Sequence, residues 1–187
     1  MDVKNSIINR RAYRSLEPVE IREELIYDLA ECAQLSASCL NNQPWQYIFI
    51  YDSKVLMEMH KALSIGNEWA RAASMIIAVF SKKEDDCVIL DREYYLFDTG
   101  MATGSLILRA TEIGLVAHPI AGYSPKKTRE ILGIPDKYDV IALVIVGKHS
   151  KNIDNSLSDK QIKAEKERPE RKDIDDFVYI NRYIKKK

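Results

Sequence analysis

The sequence predicts a single α+β domain in which helices cover a sheet. Two observations carry this reading. Three short runs rich in β-branched and aromatic residues, 46–51, 75–81 and 140–147, alternate with longer runs of helical periodicity. The last of them, VIALVIVG, is apolar on both faces and reads as a central, doubly covered strand. The 187 residues, 46% apolar and 30% charged, are enough to bury a sizeable core.

Residues 3–14 read as the first helix, with Asp2 as its N-cap. Its end, N-R-R-A-Y-R, sets Arg10 and Arg14 four apart on one helical face. Two planar guanidiniums converging there suit a phosphate or carboxylate, and the plainer alternative is a solvated basic face. Glu17-Pro18 opens a second helix with a core stripe at Ile21, Leu25 and Leu29. The stretch S-C-L-N-N-Q-P-W at 38–45 follows it, just before the first strand run. Amides, a thiol, a proline and a tryptophan in eight residues suit recognition of a flat, polar-edged heterocycle; the alternative is a turn anchored by Trp45.

Ser53 caps a helix through Leu63, and 65–69 breaks it at a segment where Asn67 is a ligand contact or simply a turn residue. Residues 91–113 read as one long helix with Tyr94, Phe97, Met101, Leu108 and Ile113 facing the core. Gly100 and Gly104 form a small-xxx-small pair that implies close packing, a dimer partner being one candidate. After Gly114 comes H-P-I-A-G-Y, where Pro119 lacks a donor and Gly122 permits unusual dihedrals or close approach of a ligand. His118, with no acid or nucleophile nearby in sequence, reads as structural. Ser124-Pro125 starts a helix that Gly133 stops.

Residues 148–187 form an extended C-terminal arm with twelve basic and eight acidic residues, a net of +4. Arg168, Arg171 and Lys172 are its basic cluster. Residues 174–184 turn apolar and aromatic, which predicts packing on this chain or a neighbour, and Lys185–Lys187 reads as a solvated end.

Composition narrows the function classes. Lys+Arg and Asp+Glu are both 28, so no global field favours nucleic acid. The three cysteines, Cys32, Cys39 and Cys87, are odd in number and unevenly spaced, which argues against a disulfide framework and for a reducing compartment. Scattered histidines without CxxC or HExxH predict no metal site. With no signal-type segment and no apolar run near the ~20 residues of a membrane span, the expectation is a cytoplasmic protein without a membrane partner. No acid, base or nucleophile constellation stands out.

Four motifs in order resemble the nitroreductase family of flavoproteins: N-R-R-A-Y-R, A-S-C-L-N-N-Q-P-W at 37–45, G-L-V-A-H-P-I-A-G-Y at 114–123 and R-K-D-I-D-D-F-V at 171–178. The resemblance implies an FMN-binding homodimer, a mixed, mostly antiparallel sheet flanked by helices, flavin sites at the subunit interface, and a C-terminal segment packing on the partner. It assigns Arg10, Arg11, Ala12, Arg14 and Arg171 to the FMN phosphate. Ser38, Cys39 and Asn41 fall to the loop presented to the other subunit's isoalloxazine, with Asn67 a looser match. Pro119, Ile120, Ala121 and Gly122 lie along the flavin, the Ala121 backbone N–H reaching N5. The implied activity is ping-pong hydride transfer from NAD(P)H through FMN to a nitroaromatic, quinone or similar small planar acceptor, with no protein group as catalyst. The alternatives are a flavin-binding protein for storage, sensing or a specialised reaction such as dehalogenation, and an interaction module built on the basic clusters. Ala37 and Ala12 depart from the usual proline and serine, and Lys172-Asp173 from a basic–proline pair.

Overall fold

The structure, a computed structural model, describes residues 2–184; the expected solvated end at Lys185–Lys187 lies outside them. In chain order the elements are α1 (Val3–Asn9), β1 (Leu16–Glu17), α2 (Glu23–Gln34), β2 (Gln46–Ile50), α3 (Ser53–Met59), β3 (Met75–Ser81), β4 (Val88–Ile89), β5 (Arg92–Glu93), α4 (Tyr95–Glu112), β6 (Val116–Ile120), α5 (Pro125–Leu132), β7 (Asp139–His149) and α6 (Asp159–Lys166). The main sheet is α+β in character: β7 pairs with β3, β6 and β1, and β3 pairs with β2. Each of these described pairings is antiparallel.

β7 is the doubly covered strand expected of its sequence. Leu143, Val144, Ile145 and Val146 are all fully buried. Successive side chains point to opposite faces, so the sheet feeds two cores. Met75, Ile77, Val79, Val144 and Val146 pack with Leu29, Ala33, Ala102 and Leu106 from α2 and α4. Ile76, Ala78, Leu143 and Ile145 face the other way, onto Met59, Trp69, Tyr123 and Leu157.

Several local expectations hold. Asp2 caps α1, its carboxylate accepting from the Asn5 N–H at 2.8 Å. Ser124 caps α5 over Pro125, and Gly133 ends it in the left-handed conformation at φ 67°.

Others give way to tertiary partners. α1 stops at Asn9 rather than at residue 14, because the Arg14 and Ser15 N–H groups donate to the Glu165 carboxylate at 2.6 and 3.2 Å. α2 starts at Glu23 rather than at Pro18, because Leu16 and Glu17 pair with His149 and Lys148 and the Val19 N–H donates to Ser74 Oγ. Asp52, not Ser53, caps α3. Residues 91–94 form a hairpin and turn before α4 instead of its first turn.

The buried face of α4 is also rotated from the expected one. Tyr95, Asp98, Thr99, Ala102, Thr103, Leu106, Ile107 and Ala110 face inward, while Phe97 is 62% exposed. Small residues allow the helix close to the sheet, and Asp98 is held inside because its carboxylate accepts the Cys39 N–H at 2.6 Å. A side chain built on Gly100 or Gly104 would meet nothing within 4 Å, so the close packing expected there does not occur within the chain. Nor does 174–184 pack on its own chain: Ile174, Phe177, Ile180, Tyr183 and Ile184 are all at least 60% exposed. Among the described residues, no helix is long and apolar enough to cross a membrane.

Candidate active site

The segment freed from α1 runs extended beneath the C-terminal arm. Arg10, Arg11, Ala12 and Arg14 line one cleft together with Ala164, Arg168, Pro169 and Arg171. Arg10 and Arg14 therefore do converge, but not on a helical face. Alternation along an extended backbone brings them to one side.

The arm holds this segment in place at several points. Arg11 Nη2 donates to the Ala164 and Glu165 carbonyls at 2.6 and 3.2 Å. Arg168 Nη2 donates to the carbonyls of Ile8 and Arg10. Glu165, 7% exposed, accepts the two N–H groups at Arg14 and Ser15 and lies 3.8 Å from His149 Nε2. Its hydrogen bonds go to backbone N–H groups, while its charge acts on the Arg14 guanidinium without a salt bridge.

The electrostatics of the cleft suit an anion. Burial, with the neighbouring charges of Arg168 and Arg171, lowers the Arg10 pKa from its ordinary value. Burial also lowers that of Arg14, opposed by Glu165. Among the described residues no carboxylate forms a salt bridge with Arg10, Arg14 or Arg171. A dianionic phosphate would supply the missing charge and accept bidentate hydrogen bonds.

Trp69 and His118 connect this cleft to β6. The Arg14 guanidinium sits 5.8 Å from the Trp69 ring centroid, and Trp69 stacks on His118 at 4.7 Å. His118 Nδ1 bonds the Tyr13 carbonyl at 3.0 Å. Burial pushes the His118 pKa down to about 4, only partly opposed by that bond. His118 is thus neutral near pH 7 and acts as structure, holding the arginine segment against β6.

Pro119 and Ala121 are exposed, whereas His118 and Ile120 are buried. The β6–β7 register ends at Ile120 paired with Leu143, so Ala121 lies just beyond the ladder. Asn67 joins this group: its Nδ2 donates to the Gly122 carbonyl at 3.0 Å. A Cβ at Gly122 would stand 2.2 Å from that Nδ2. The glycine is required by Asn67 rather than by an unusual dihedral.

The 38–43 loop stands apart from these residues in its described bonds. Cys39 bonds to Asp98 and is joined to Cys87 by a disulfide, across 6.0 Å between Cα atoms and 48 residues of sequence. This overturns the expectation of unpaired cysteines. Spacing carried no sign of the pairing, because the chain turn at 83–87 brings Cys87 to the loop; Cys32 remains free. Asp86, Cys39 and Cys87 bring donor atoms within 4.8 Å of one another, a cluster that no sequence motif announced. Leu40, Asn41 and Gln43 adopt positive φ of 50°, 60° and 50°. Trp45 is 9% exposed and anchors the loop in the α2–α4 core.

Sequence reasoning missed Glu165 and weighed Arg168 only as part of a basic cluster. The motif N-R-R-A-Y-R gave no sign that the partner holding it lies about 150 residues away.

Comparison with known proteins agrees with this fold. The nitroreductase family profile matches residues 58–148. A protein of Archaeoglobus fulgidus, provisionally named NADH dehydrogenase/NAD(P)H nitroreductase, is 28% identical over 145 residues, covering 75% of this chain and 82% of that one. The crystal structure of an oxidoreductase containing FMN superposes with a TM-score of 0.84 at 26% identity, covering 100% of this chain and 95% of the other. A nitroreductase from Exiguobacterium sibiricum in complex with FMN has the same fold, with a TM-score of 0.80 at 20% identity over 97% and 98% of the two chains. The arginine segment, the β6 edge and the antiparallel sheet beneath them thus stand in a chain that belongs to the nitroreductase family.

Proposed function

We propose that the protein is a homodimeric, cytoplasmic FMN-dependent oxidoreductase that uses NAD(P)H to reduce nitroaromatics, quinones or similar small planar acceptors. The observation that carries this reading is an arginine cleft whose Arg10, Arg14 and Arg171 form no salt bridge among the described residues, set beside an exposed strand edge of small residues. When bound, FMN supplies the hydride chemistry, alternating between a nicotinamide donor and the acceptor. The chain's own part is to bind, orient and exclude water.

Arg10 and Arg14 hold the phosphate, with Arg11, Ala12 and Arg171 completing the cleft. Pro119, Ile120, Ala121 and Gly122 give the ring a flat backbone edge, with the Ala121 N–H directed at N5 and Asn67 packed behind. Ser38, Cys39 and Asn41 serve the flavin of the other subunit, which accounts for a loop without described bonds to its own arginine cleft. The donor set fits the cofactor: cations for a dianion, and backbone beside an apolar ring. All 187 residues act as one FMN-binding domain, with the 148–187 arm clamping the cleft and reaching the partner.

The dimer is supported by uncovered apolar surface. Phe97, Gly100, Met101, Gly104 and Leu108 form a stripe along α4, and the tail from Ile174 to Ile184 is exposed. Purification tests the reading. Yellow protein carrying FMN, stabilised to heat by added FMN and bleached anaerobically by NADH or NADPH, is the expected result. Colourless protein indifferent to FMN refutes it. Bound FMN that no nicotinamide reduces leaves a flavin-binding protein without reductase activity.

A further inference from the structure

We infer that Cys39 and Cys87 form a reversible thiol–disulfide site, exchanging two electrons with a dithiol reductant and setting the shape of the 38–43 loop. Four observations place chemistry at this bond. Cys39, the sulfur attacked, is only partly buried, so a reductant can reach it. Asn42 Nδ2 lies 3.5 Å from Cys87 Sγ, an amide donor ready for a thiolate. A carboxylate oxygen of Asp86 lies within 4.8 Å of both sulfurs. Asp86 Oδ2 is buried without a hydrogen-bond donor, and Asp98 lies alongside it. Asp98 has its pKa raised by burial, opposed by the Cys39 N–H and assisted by Asp86. In the cytoplasm, the location proposed above, a disulfide in such a setting is transient and redox-active rather than structural.

The exchange balances as follows. One thiolate of the dithiol attacks Cys39 Sγ, and the Cys39–Cys87 bond breaks. Cys87 leaves as a thiolate facing the Asn42 amide. The reductant's second thiol then displaces Cys39, closing the reductant into a disulfide. Two electrons pass to the protein, and the two protons released by the dithiol end on the Cys39 and Cys87 thiols.

The loop responds because its backbone is constrained. Leu40, Asn41 and Gln43, none of them glycine, hold positive φ. Such conformations persist only where surrounding bonds over-determine them. With the disulfide open, the loop's described ties to the rest of the chain are the Cys39 N–H bond to Asp98 and the Asn42 Nδ2 bond to Asp86 Oδ1, beside short internal bonds such as those from the Gln43 N–H to Ser38 Oγ and from Gln43 Nε2 to the Asn41 carbonyl. Ser38, Cys39 and Asn41 then lose their fixed placement. Resting on the function proposed above, this makes FMN affinity depend on the redox state. By linkage, FMN must make the disulfide harder to reduce by the same factor.

The experiment equilibrates the full chain in graded ratios of reduced and oxidised dithiothreitol and counts alkylated cysteines by mass spectrometry. A reversible two-electron transition is expected, from one free thiol to three in the wild type and from none to two at the same midpoint in Cys32→Ser, and absent in Cys87→Ser. Three free thiols throughout, a bond that opens only on unfolding, or one zinc ion retained per reduced chain each overturns the site. FMN titration of oxidised wild type, reduced wild type and Cys87→Ser is expected to show at least about fivefold weaker binding in the last two. Equal affinity in all three overturns the coupling. No FMN binding in any state refutes the flavin reading instead, while the thiol count still decides the disulfide.

Discussion

A side chain at position 122 would collide with the Asn67 amide, since its Cβ would stand 2.2 Å from Nδ2. Gly122→Ala is therefore expected to displace Asn67 and cost about 1–3 kcal/mol, read from urea unfolding. In the cleft, Arg10→Ala and Arg14→Ala are each expected to weaken FMN binding by roughly ten- to hundredfold, the range for a lost charge-assisted bond. A fluorescence titration gives the value, and unchanged affinity in both variants removes the phosphate assignment. His118 makes a pH prediction. Its pKa falls from 6.5 to about 4 on folding. The unfolded chain thus binds a proton below pH 6.5 that the folded chain refuses, and stability is lost as pH falls from about 6.5 to 4. The loss attributable to His118 is on the order of 3 kcal/mol, and His118→Gln should flatten that part of the stability curve.

At the scale of elements, the apolar strands and the capped helix α5 were legible because local propensity and burial agree there. β3 spans the residues its run predicted, and β7 exceeds its run by one residue at the start and two at the end. Helix ends and faces were less legible, because distant partners set them. Glu165 takes the N–H groups that would have continued α1, and Asp98 turns the polar side of α4 inward. Two predictions follow the same division. Leu143→Ala, in a fully buried central strand, should cost about 3 kcal/mol in stability. Glu165→Ala should leave the sheet cores intact but free the 10–15 segment, seen as faster amide hydrogen exchange there and weaker FMN binding.

The whole molecule leaves apolar surface that one chain does not cover. Phe97 on α4 and Phe177 and Ile180 in the tail are all at least 60% exposed. Removing the residues from Ile174 onward is expected to shift the protein towards monomer in sedimentation velocity and to lower its FMN content. A truncated protein that stays dimeric and yellow would assign the tail another task. The four motifs were legible in residue type, and the structure brings those around Arg10 and His118 and the start of the one at Arg171 together, while the 38–43 loop has no described bond to them. The motifs' arrangement was not legible, because it depends on α6 clamping the arginine segment and on Trp69 bridging Arg14 to His118.

By itself the sequence determined which runs are buried, since apolar periodicity registers the cost of exposing them to water. It also determined which residues bear charge and amides suited to a flavin. Only the tertiary structure decided that the arginines converge along an extended segment, that Gly122 makes room for Asn67, and that Cys39 meets Cys87. Each of those depends on a contact between residues far apart in the chain, and such contacts follow from how the sheet and its helices close around two cores rather than from any local pattern.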